Sequence, residues 1–149
     1  MTSTAVTSDD VITFRVGTQW FGIGVLEVQE VIGPQRLALV PLAEAYVGGL
    51  LNLRGQIVTA IDMHEKLQIS RSPDESLMNV VVRDGDELFA LLVDEVGDVV
   101  TVPPDDLEAL PASLADEWGR ICAGVVRKEY GLIAVLHTTH LLDEPSTRP

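Results

Sequence analysis

Two charged residues sit inside apolar, strand-forming runs: Glu30 within residues 25–32 and Arg54 within residues 50–58. Removing an unpartnered charge from water is costly, so such residues pair with each other or serve a binding surface. Arg54 is then either a structural arginine, held by Glu30 or by backbone carbonyls, or an arginine that shapes a docking surface. These readings are compatible, because a buried pair can hold a groove in shape. The chemistry they suggest is recognition.

Catalytic and metal-binding patterns are sparser. Asp62 and Asp94 each follow an apolar strand, where carboxylates sometimes act as acid and base. With His64 they define an alternative, a small β-barrel enzyme, which requires the three side chains to converge in one pocket. His137 and His140 are spaced i, i+3, and zinc there would need further ligands, with Cys122 and Asp143 conceivable. The chain has no G-x-S-x-G elbow and no phosphate-binding glycine loop followed by Lys-Ser/Thr. No metal or other cofactor is expected.

Short strands separated by turn signals must position these residues. The predicted strands are Val11–Val16, Trp20–Val25, Arg36–Pro41 and Gln56–Ile61, with Tyr46–Leu51 leading into the turn region at 52–55. A second set comprises Leu77–Val82, Leu88–Val93, Val96–Val102, Arg120–Arg127 and Tyr130–Leu136. Residues 26–32 fit either a helical turn or a strand. Asp62 is a predicted cap for a helical turn at Met63–Leu67, with Glu65 completing it. Further helical turns are expected at Ala112–Glu117 and His137–Asp143. The polar stretch Ser70–Ser76 divides the strands into two similar sets, about 11–76 and 77–143. Closing each set would remove exposed edges. An all-β fold of two small barrels side by side follows, with a single sandwich as the alternative and the termini free to exchange strands. Residues 1–10 read as a flexible arm and residues 144–149 as a tail.

Composition narrows the partners. The 149 residues carry 23 acidic and 10 basic side chains, a net charge of −13, which repels nucleic acid and anionic membranes. Cys122 is the sole cysteine, so no internal disulfide forms and a reducing cytoplasm is expected. The start lacks the basic and apolar regions of a secretory signal, and no apolar run reaches the ~20 residues of a membrane helix. Aromatic residues make up only 5%, so the interior should be aliphatic.

By Phe21-Gly22-Ile23, Val28-Gln29-Glu30-Val31, Val40-Pro41, Tyr46-Val47-Gly48-Gly49, residues 52–58 and Ile61-Asp62, in this order, the chain bears a resemblance to the CheW family of chemotaxis adaptors. Val93-Asp94-Glu95-Val96 and Cys122-Ala123-Gly124-Val125 extend it into the second half. It implies two five-stranded, SH3-like barrel subdomains and no enzymatic activity. Implied partners are the regulatory domain of a CheA-type histidine kinase and the cytoplasmic tip of methyl-accepting chemoreceptors. The protein is then cytoplasmic, recruited to membrane-associated receptor arrays without inserting in the membrane, and monomeric when isolated. By family pattern, Val25, Val28, Glu30, Gly49, Arg54 and Gly55 fall where receptors bind or the groove is shaped, and Val96 and Val99 on the kinase side. Met63-His64 and Ala43-Glu44 depart from the pattern, and relatives also serve twitching and gliding pathways.

Overall fold

Val80, Val81 and Val82 are consecutive, and all three are fully buried. Successive strand side chains point to opposite faces, so this strand must be covered on both sides. The computed structural model describes residues 9–70, 76–113, 118–129 and 131–142 and shows how that cover is supplied. Among the described residues ten strands run β1 (Asp10–Val16), β2 (Gln19–Gly24), β3 (Val28–Ile32), β4 (Val47–Leu53), β5 (Gln56–Asp62), β6 (Met78–Asp84), β7 (Glu87–Val93), β8 (Glu95–Thr101), β9 (Cys122–Lys128) and β10 (Gly131–Leu136). Two one-turn helices follow β5 and β10: α1 (Met63–Leu67) and α2 (Thr138–Leu142).

The strands form two five-stranded sheets, sheet I in the order β8-β1-β2-β10-β9 and sheet II in the order β3-β6-β7-β5-β4. Both have the same pattern: one parallel pair, β2 with β10 or β7 with β5, among antiparallel neighbours. Each strand of β1–β5 thus has a counterpart five strands later. The chain is two similar five-stranded repeats, and each repeat places its first hairpin in the sheet completed by the other. β1–β5 precede and β6–β10 follow the stretch 70–76, and β1 and β2 share their sheet with β8, β9 and β10.

The packing explains the exchange. Leu88, Ala90 and Leu92 of β7 face the interior of sheet II, beside Leu51, Leu53 and Val58. Leu91 and Val93 face the other way, into a central core shared with Phe14, Phe21 and Ala134 of sheet I. Ile133 and Val135 face the third core, with Val11 and Val126. Phe14, Phe21 and Trp118 form the aromatic centre of the shared core. An exchanged hairpin contributes to its own sheet's core on one face and to the shared core on the other.

The repeats also share a close backbone approach. Ala38 bridges Leu50 and Glu108 bridges Val125, each by two backbone hydrogen bonds of 2.8–2.9 Å. Beside each bridge lies a glycine whose added Cβ would come within 2.8 Å (Gly49) or 2.7 Å (Gly124) of the bridging carbonyl oxygen. These contacts cover part of the otherwise open edges of β4 and β9.

Two local expectations change. The predicted strand Arg36–Pro41 is an irregular segment, because only Ala38 finds a ladder partner and Pro34 and Pro41 flank it. Residues 26–32 resolve into both alternatives: a 3-10 turn at Val25–Glu27, then β3. Asp62 caps α1 by accepting from the amides of His64 and Glu65. Most of the predicted arm at 1–10, the core of the Ser70–Ser76 break, most of the Ala112–Glu117 turn, Tyr130, Asp143 and the 144–149 tail lie outside the described residues.

Gly49→Ala and Gly124→Ala should each lower unfolding free energy by about 1–3 kcal/mol, since neither backbone can move off its bridge cheaply. Urea melts of the two variants check this. A neutral result at either site would contradict the close approach.

Candidate docking surfaces and the barrel junction

Arg54 and Gly55 form the two-residue turn between β4 and β5, both in the left-handed region at φ 52° and 89°. Asn52 Oδ1 accepts from the Gly55 amide at 2.7 Å, which fixes the turn. The turn lifts Arg54 out of the ladder, and its Nη2 donates to Glu30 Oε2 on β3. A register shift between Val28 and Glu30 sets the glutamate on that edge strand. β3 and β4 are opposite edges of sheet II, so this ion pair ties the curled sheet across its opening. The pair is not buried as the apolar neighbours suggested: the Arg54 side chain is 68% exposed and Glu30 25%. The alternating neighbours point inward while the charged groups stand at a turn and an edge.

Near this pair, sheet II exposes apolar surface. Leu39, Leu42 and Ile57 are exposed, Leu42 completely. An open groove of about 510 Å³ runs along β4, lined by Arg36, Leu37, Ala38, Leu50, Leu51 and Ile57 among others. Gly49 is buried and positions the groove wall, because its missing side chain lets Ala38 approach β4. Val25 and Val28 are half-buried; Val28 packs against the shared core, and Val25 lies in the turn beside exposed Leu26. Ile57 and the apolar residues of 37–42 escaped the sequence reading. Residues 37–40 form an aliphatic run between Pro34 and Pro41, which reads as a strand and thus as core, and Ile57 lies in the separate predicted strand Gln56–Ile61.

Val96 and Val99 lie on β8, an edge of sheet I. Val99 is 52% exposed, while Val96 packs partly against the shared core. Beside them is an open pocket of about 490 Å³ that includes Thr13, Trp20 and Gly97. Apart from Val25, which lies in the turn between β2 and β3, the two sets of sequence-predicted residues therefore fall on different sheets.

The convergence required by the catalytic alternative does occur, in a buried setting. His64 Nε2 is 2.8 Å from Asp94 Oδ2, and His64 Nδ1 is 3.8 Å from Asp62 Oδ1. The side chains of His64 and Asp94 are only 3% and 2% exposed. Both carboxylates serve backbone amides as well: Asp62 those of α1, and Asp94 that of Gly17 at 2.6 Å. Of the conceivable zinc ligands, His137 is exposed and Cys122 is buried on β9. Burial pushes the Cys122 thiol up to about 11. Among the described residues no group of three or more His, Cys, Asp or Glu side chains could hold a metal ion.

A ten-stranded, twofold-repeated β protein with apolar edges on both sheets and a buried polar junction has the build of an interaction module. Residues 10–146 match the family model of the CheW-like domain, and the chain belongs to that family. It is 27% identical to the chemotaxis protein CheW of Bacillus subtilis over 99% of this chain and 96% of the relative. It is 34% identical to the protein PilI of Pseudomonas aeruginosa, over 72% of this chain and 61% of that protein. Its fold matches the crystal structure of the scaffolding protein TtCheW from Thermoanaerobacter tengcongensis, with a TM-score of 0.82, 19% identity and coverage of 96% and 98% of the two chains.

Arg54→Ala should cost less than about 1 kcal/mol of stability, because exposed ion pairs contribute little; a thermal melt reads this directly. Cys122 should react with a thiol reagent at neutral pH only as fast as the protein opens, since the buried thiol stays protonated. Rapid labelling of the native protein would contradict that placement.

Proposed function

We propose that the protein is a non-enzymatic adaptor that couples a CheA-type histidine kinase to methyl-accepting chemoreceptors. The kinase binds through its regulatory domain and the receptor through its cytoplasmic tip. The observation that carries this reading is the family match along residues 10–146, together with candidate surfaces on two separate sheets. An adaptor needs two such surfaces, since each bound partner then raises the effective concentration of the other.

On this reading Val25, Val28, Glu30, Gly49, Arg54 and Gly55 bind the receptor or shape its groove. Exposed Leu39, Leu42 and Ile57 suit the apolar ridges of a helical hairpin, and a few such contacts carry most of the affinity. Val96 and Val99 on β8 face the kinase. The protein works in the cytoplasm as a monomer until recruited to membrane-associated arrays. Among the described residues no helix is long and apolar enough to cross a membrane.

The likeness to PilI favours a second reading, the same adaptor role in a non-flagellar pathway. The catalytic alternative on Asp62, Asp94 and His64 has less support, because His64 and Asp94 are buried and Asp94 is engaged in joining elements.

Titration calorimetry with each partner alone tests the assignment of surfaces. Val28→Glu should weaken receptor-tip binding about tenfold or more, roughly 1.4 kcal/mol, and leave kinase binding unchanged. Val99→Asp should do the reverse. Loss of both interactions in either folded variant, or of neither, would overturn the assignment.

A further inference from the structure

Asp94 is the single residue between β7 and β8, where the chain passes from sheet II to sheet I. Its Oδ2 accepts from the Gly17 amide, in the β1–β2 turn of sheet I, at 2.6 Å. The same oxygen lies 2.8 Å from His64 Nε2 on α1, which continues directly from β5 of sheet II. The Asp94 amide donates to the Arg15 carbonyl at 2.9 Å, so backbone and side chain both hold the crossing to sheet I. One buried residue thus joins three elements drawn from both sheets.

The surroundings are tight and charged. A Cβ at Gly17 would lie 2.5 Å from Ile69 Cγ2, so the β1–β2 turn is pressed against the segment after α1. The groups around His64 are Asp94 from the crossing and Asp62 from the end of β5, with Glu65 and Lys66 next on α1 itself. Arg15 of β1 donates to the Gly17 carbonyl and pairs with Glu95 beside the crossing. The other crossing, Val25–Glu27, contains no buried residue. The shared apolar core holds the sheets together without fixing direction, whereas a buried hydrogen-bonded pair is directional.

We propose that Asp94 and His64 are positioning residues that fix the angle between the two barrels, and with it the spacing of their docking surfaces. This rests on the adaptor reading for its consequence: two partners gain from each other only if the geometry lets both engage at once. The pair's side chains are buried and line neither the groove along β4 nor the pocket at β8. Its loss should spare each single interaction and weaken the combined one.

The test uses the full chain with spin labels on Asp86→Cys, in the β6–β7 turn, and Glu129→Cys, in the β9–β10 turn, both exposed positions. The otherwise unaltered chain should give one narrow label-to-label distance. His64→Leu, which removes the donor, should broaden it, and His64→Gln, whose amide can still donate, should restore it. In the same variants, affinity for the kinase regulatory domain alone and for the receptor tip fragment alone should stay within about twofold. Affinity for the second partner in the presence of the first should fall about tenfold with Leu and recover with Gln. If His64→Leu fails to fold, His64→Met, which also lacks a donor, carries the same comparison. An unchanged distance and unchanged combined affinity would overturn the proposal, as would equal losses with Leu and Gln. If the unaltered chain binds neither partner but Leu still broadens the distance, the positioning role stands and the adaptor reading falls.

Discussion

Strands that are apolar on both faces need cover on both faces, and the rest of this structure follows from that requirement. β6 and β7 place Val81, Ala90 and Leu92 in one core and Val80, Leu91 and Val93 in another. A sheet closed on itself would satisfy only the first set. Pressing two such sheets together through Phe14, Phe21, Leu91 and Ala134 satisfies the second. Exchange of the first hairpins between repeats then makes each half of the chain indispensable to both sheets.

The candidate surfaces are consequences of what this arrangement leaves uncovered. In sheet II the opposite edges β3 and β4 are joined by Arg54 and Glu30 at an exposed turn. The segment over β4 bridges it only at Ala38, so Leu39 and Leu42 reach solvent. Sheet I leaves β8 as its edge and exposes Val99 there. Apart from Val25, each surface belongs to its own barrel, and of the two crossings between the barrels the one at Asp94 is a single residue long. The polar contacts at that crossing give a mostly apolar interface a defined angle.

Much of the fold was legible in the sequence because alternation, turn chemistry and capping agreed locally. Asp62 before Met63–Leu67 marked α1, and Gly85 between two valine- and leucine-rich runs marked the β6–β7 hairpin. Which strands pair was not legible, since apolar runs such as Val80-Val81-Val82 look alike whichever sheet takes them. Arg36–Pro41 misled for a related reason: its aliphatic residues signalled burial, whereas Leu39 is 84% exposed. Glu30 and Arg54 lie beside each other in space. Their burial was misjudged, because apolar residues in sequence on either side of a turn residue say little about the turn itself. The His64–Asp94 contact joins residues thirty positions apart, and the sequence suggests it only through the grouping of Asp62, His64 and Asp94 as one alternative site.

The most direct measurement is sedimentation velocity of the protein with the kinase regulatory domain and a receptor tip fragment, singly and together. The expected result is one faster-sedimenting species containing all three components, with each pair also detectable. Mutually exclusive binding, in which the receptor fragment displaces the kinase domain, would contradict the claim that two barrels carry two independent docking surfaces.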